Sequence, residues 1–133
     1  MKNQKVKLPD TNTILRYLLE DNDELFRKAQ FVFEKVRTGT EIAIILESVL
    51  VECVYVLLKY YNVPRREVSE KLNQFLAYKG IVNKDKKELS GALDLFAETS
   101  LDIVDCILHA KANNYGMILF TFDRKLANKA KTQ

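Results

Sequence analysis

Apolar positions along this chain follow two rhythms, short unbroken runs and longer stretches repeating every three to four residues, and the two alternate. The runs predict strands and the longer repeats predict amphipathic helices. KVKL is the first run; it stops at Pro9, and Asp10, Thr11 or Asn12 can then cap a helix through TILRYLLE. In DNDELFRKAQFVFEKVRTG, Leu25, Ala29, Val32, Phe33 and Val36 share one face, and Gly39 supplies a stop. EIAII is short and β-branched, as a buried parallel strand should be. Glu47 or Ser48 opens a long helix, apolar nearly all round, that runs to about Tyr61. Pro64 suits the first turn of the next helix, where Val68, Leu72, Phe75 and Leu76 form the apolar stripe and Gly80 marks the end. IVN is a brief strand. KDKKELSGALDLFAETS is helical with Leu89, Ala92, Leu93 and Phe96 inward, and SLDIVDCILHAKANNYG is a buried helix carrying Asp102 and Asp105 in its first turn. MILFTF is then an apolar strand, and Asp123 starts a short last helix, RKLANKAK.

Strands alternating with helices predict an α/β fold with helices on both faces of a central parallel sheet. In such a sheet the ligand crevice lies at the carboxyl ends of the strands. At 133 residues, 47% hydrophobic and 29% charged, the chain fits one domain spanning 1–133, without an internal repeat or a linker. Its longest apolar stretch, AIILESVLVECVYVLL, is broken by Glu47 and Glu52, short of the roughly 20 apolar residues a membrane span needs. The opening MKNQKVKLPDTN has no apolar core and no small-residue cleavage site, which predicts a cytoplasmic protein.

Composition narrows the chemistry. Cys53 and Cys106 both sit in apolar helical patterns and read as buried, reduced thiols. With His109 as the one histidine, a His-rich zinc site is excluded, and its place one turn after Asp105 suits a helix residue better than a catalytic base. A hydrolase built on this chain must use carboxylates. The net charge of +3 is mild, but Lys2, Lys5 and Lys7 precede the first acidic motif, Arg65 and Arg66 adjoin, and Arg124, Lys125, Lys129 and Lys131 crowd the C-terminal segment. These are solvated charges or phosphate contacts.

Four of the eighteen acidic residues stand among residues that otherwise read as core: Asp10 after KVKL, Glu52 in SVLVECVYVLL, Asp105 in LDIVDCIL and Asp123 after MILFTF. An ionised carboxylate in apolar surroundings needs a partner. Of their near neighbours only Arg124 beside Asp123 is cationic, so a shared cation is the economical solution, and oxygen ligands suit Mg²⁺ or Mn²⁺. As the alternative, Asp10 and Asp123 are simple N-caps, and Asp102 or Asp105 complements a helix N-terminus. Glu52, in mid-helix, has no capping role.

At these residues the sequence resembles the PIN-domain family, most closely the VapC-type toxins of toxin-antitoxin pairs. DTNTILRYLLEDN resembles the family's first acidic motif and SVLVECVYVLLKYYNV the helix carrying its glutamate. LDIVDCILHAKANNYG resembles the D-x-x-D segment, and ILFTFDRKL the final T-x-D motif. Positions 10, 52, 105 and 123 keep the family order at spacings of 42, 53 and 18.

The resemblance implies a three-layer α/β/α PIN-like domain, with four strands, or five if an edge strand is present, in its parallel sheet. It implies Asp10, Glu52, Asp105 and Asp123 as catalytic, metal-binding acids, Asp102 as an accessory acid, and Asn12 and Thr121 as polar supports. One or two Mg²⁺ or Mn²⁺ ions would serve hydrolysis of structured RNA, tRNA among the candidates, with Arg124 and Lys125 holding phosphates. It also implies a homodimer and a small antitoxin partner, and Leu15, Tyr17, Leu18, Phe31 and Tyr55 are candidate interface residues. Two readings compete: a PIN nuclease of RNA processing that is no toxin, and a catalytically silent RNA-binding module.

Overall fold

The computed structural model describes residues 4–131. Helices dominate it: α1 (Thr11–Leu19), α2 (Asp23–Thr38), α3 (Glu47–Tyr55), α4 (Arg65–Leu76), α5 (Lys86–Glu98), α6 (Ile103–Tyr115) and α7 (Arg124–Lys131). Their ends follow local chemistry. The Asp10 side chain caps α1 by accepting the Thr13 amide at 2.9 Å, and Asn22 caps α2 through the Leu25 amide at 2.9 Å. Gly39 and Gly116 end α2 and α6 with φ of +87° and +64°, the left-handed conformation that glycine adopts without a Cβ clash.

The long helix expected to run to Tyr61 is one element in two geometries. After Tyr55, α3 widens into a π-helical turn, Val56–Tyr60, closed by the Tyr61 amide on the Val56 carbonyl at 3.1 Å. α1 packs on α2 and α3, while α5 lies between α4 and α6. The core between them is apolar, with Ile14, Leu50, Leu57, Phe75, Leu93 and Ile103 all essentially solvent-free. Each such side chain contributes on the order of 1.5–3 kcal/mol. Tyr17, Phe33 and Phe75 meet at ring separations of 4.9–5.9 Å and tie α1, α2 and α4 together.

The structure overturns the expected central sheet. Among the described residues strand pairing is confined to two isolated parallel bridges, Lys7 to Ala43 and Ala43 to Ile81. The three segments do lie side by side, but their ladders are cut short at both ends. Pro9 has no amide to extend the first segment. The residues leading into the other two are bound to the end of α2, Glu41 N to Lys35 O at 3.1 Å and Gly80 N to Val36 O at 2.7 Å. That approach admits no side chain at Gly80, where a Cβ would stand 2.1 Å from the Glu41 carbonyl oxygen. Beyond Ala43 the next rung is made by a side chain: buried Asn83 takes the Ile45 amide at 2.9 Å and gives to the Ile45 carbonyl at 2.6 Å.

The fourth expected strand, MILFTF, forms no bridge and faces solvent, with Ile118 93% and Phe122 91% exposed. β-propensity expresses the fit of a residue to a half-buried pleated surface, and no neighbouring segment supplies one here. Two of the candidate interface residues also prove to be core: Leu15 and Tyr17 are buried and Leu18 is half-buried, leaving Phe31 and Tyr55 exposed. No helix of the described residues is long and apolar enough to cross a membrane.

Candidate acidic site

The five acids of the sequence motifs fall into two groups, each built at the start of a helix. In the first, Asp10 caps α1 and Glu52 rises from the middle of α3. Thr11 joins them, its hydroxyl donating to Glu52 Oε1 at 2.6 Å across 41 residues of sequence. The Asp10 carboxyl is held below its ordinary range, chiefly by hydrogen bonding to Thr13. Burial pushes the neighbouring Cys53 thiol up to about 12, and the charges of Glu52 and Asp10 add to the shift, so both carboxylates act on the same side of α3. Cys53 is therefore an inert core thiol rather than a nucleophile.

The second group is Asp102, Asp105 and Asp123. Asp102 occupies the N-cap position of α6 without making a side-chain cap bond, and Asp105 follows one turn on. Asp123 caps α7 through the Leu126 amide at 3.0 Å, and its own amide donates to Thr121 Oγ1 at 2.9 Å. The Asp105 carboxyl is raised above the ordinary range, first by partial burial and then by the negative charges of Asp123 and Asp102. Here three carboxylates repel one another.

The expectation that these acids lie embedded in core is corrected: Asp10, Glu52, Asp102 and Asp123 are exposed and Asp105 is half-buried. Glu52 stands on the solvent side of α3 while Cys53 and Val54 beside it are buried. Within the described residues none of the five forms an ion pair, whereas Asp21, Glu34, Glu41 and Glu47 elsewhere do. In kind the donors fit a divalent ion, being hard carboxylate oxygens without a cation of their own. In grouping they fall short, because among the described residues no three acids, histidines or cysteines stand where they could hold one metal ion.

Of the expected supports, Thr121 sits against the Asp123 amide, while Asn12 is exposed and its neighbour Thr11 makes the contact to Glu52. Thr11 was missed because its partner is distant in sequence; its place beside a motif aspartate was the available signal. Arg124 is exposed, and Lys125 donates from Nζ to the Ser100 hydroxyl. Lys2 lies outside the described residues, as does the side chain of Lys131. His109 is buried in α6, and both cysteines are free and buried.

A family model described as PIN domain matches residues 7–132, nearly the whole chain. No curated protein and no solved structure matches it.

Proposed function

Because the chain belongs to the PIN-domain family, whose members are generally nucleases and usually use divalent metal ions, we propose that it is a metal-dependent endoribonuclease. It hydrolyses phosphodiester bonds in RNA and serves as the toxin of a VapBC-type pair, a cytoplasmic homodimer held silent by a small antitoxin. The observation that supports this reading best is the unpaired state of its acids: five carboxylates from four motifs, none with a lysine or arginine partner among the described residues. Repulsion among Asp102, Asp105 and Asp123 is the electrostatic condition that a cation relieves.

Asp10, Glu52, Asp105 and Asp123 would hold Mg²⁺ or Mn²⁺, with Asp102 accessory. Such an ion, once bound, supplies a water of lowered pKa and positive charge for the leaving oxygen. The chain's own residues set the donors: Thr11 orients Glu52, the Thr13 amide holds Asp10, and the Thr121 hydroxyl and Leu126 amide hold Asp123. Arg124, exposed next to Asp123, is placed to meet a phosphate.

A second reading, a silent module that binds RNA without cutting it, draws on the separation of the acids into two groups. One assay distinguishes the two. With Mn²⁺ and an RNA substrate, Asp10→Asn and Asp105→Asn should each lower cleavage at least about 100-fold, and chelation should abolish it. Binding without cleavage, or cleavage unchanged in Asp10→Asn, would establish the silent reading. Co-purification with a small protein encoded beside this one tests the toxin role.

A further inference from the structure

Arg65, read from sequence as a basic residue available to phosphate, is spent inside the fold. It opens α4 directly after Pro64 and aims its guanidinium at the connection between α5 and α6. Nε and Nη2 donate to the Phe96 carbonyl at 3.1 and 2.9 Å, and Nη2 also donates to the Leu101 carbonyl at 2.6 Å. The group lies 3.7 Å above the centroid of the Phe96 ring. Phe96 is in the last turn of α5, where carbonyls lack helical partners, and a cation there is favoured by the helix dipole. Leu101 immediately precedes Asp102, the residue from which α6 starts.

The rest of this connection is also held by side chains. The Thr99 hydroxyl donates to the Leu95 carbonyl at 2.9 Å and accepts the Leu101 amide at 3.3 Å. From the other side, Lys125 of α7 reaches the Ser100 hydroxyl. Residues 99–101 are thus one short turn gripped from α4 by Arg65 and from α7 by Lys125. Asp102 and Asp105 begin the helix that leaves the turn, and Asp123 begins the helix that Lys125 ties to it.

We infer that Arg65 is a positioning residue for the Asp102, Asp105 and Asp123 group, acting through the turn 99–101. The inference rests on the nuclease reading for its catalytic consequence and on geometry alone for its structural one. Lysine cannot replace it, because a single ammonium has neither the planar fork that serves two carbonyls nor the flat face that stacks on Phe96.

The test compares Arg65→Ala and Arg65→Lys with Arg66→Ala, an exposed neighbour, by Mn²⁺-dependent RNA cleavage and by amide hydrogen exchange. Arg65→Ala should lower kcat about 10- to 100-fold, leave KM and the salt slope of RNA binding unchanged, and recover in part with added guanidinium ion. Arg65→Lys should remain impaired and Arg66→Ala should match wild type. Exchange at residues 101–106 should accelerate in both Arg65 variants while α2 stays protected. A changed KM and salt slope with kcat intact would make Arg65 a phosphate contact and overturn the inference. Should the wild type cut no RNA, the nuclease reading fails by itself, and unchanged exchange at 101–106 in Arg65→Lys overturns the positioning role independently.

Discussion

At the scale of single residues, one carboxyl combines a functional reading with an energetic penalty. Asp105 is half-buried and faces two other negative groups, and its carboxyl is raised in the folded protein. A folded-state pKa above the unfolded value means that the native state binds the proton more tightly, so its contribution to stability falls as pH rises through that interval. Above the raised value the penalty is complete; below the ordinary aspartate range, about 4, it vanishes. Asp105→Asn removes the charge while nearly keeping the shape. With a chelator present, the variant should melt at a higher temperature than wild type at pH 7, and the difference should close as pH is lowered towards 4. Equal melting temperatures at pH 7 would show that the repulsion is relaxed by solvent. A residue that lowers stability and is needed for cleavage is what a stability–activity trade-off predicts.

At the scale of elements, helices were legible from sequence and strands were not. Helix signals are local: the cap at Asp10, the stops at Gly39 and Gly116, and the stripe of Val68, Leu72, Phe75 and Leu76 are each settled within a few residues. Strand signals describe only half of a pairing. KVKL, EIAII and IVN are set side by side, yet each contributes one bridging residue, since the end of α2 and the start of α3 occupy the backbone on either side. The same distinction governs the candidate site. The acids were visible by motif, whereas the Thr11 to Glu52 bond and the Arg65 and Lys125 anchors join residues 25–41 positions apart, and no local pattern announces them. Asn83 shows what one such link contributes. Asn83→Ala leaves the buried Ile45 amide and carbonyl without their partner, and an unfolding titration should record a loss of about 2 kcal/mol or more. A loss under 0.5 kcal/mol would mean that the rung is replaced by water.

At the scale of the whole molecule, the unexpected property is the apolar ridge of residues 117–122. Met117, Ile118, Phe120 and Phe122 are all largely exposed, and Phe120 and Phe122 touch only edge-on at 5.4 Å. Side chains this exposed hold little folding energy, so Phe120→Ser with Phe122→Ser should shift stability by no more than about 0.5 kcal/mol. The same double substitution should sharpen the sedimentation profile at high protein concentration, because apolar surface of this extent promotes association. A large drop in melting temperature would show that the ridge is part of the core in solution.

The widened turn after Tyr55 bears on how this chain tolerates change. A π turn accommodates one residue more than an α-helix would over the same span, and each residue of helix carries about 100° of rotation. Everything beyond Tyr60, including the hydroxyl of Tyr61 that receives Arg16, is therefore dialled to its bearing by a single surplus position. Length along residues 56–60, more than the identity of any one side chain there, fixes how the second half of the protein is turned against the first.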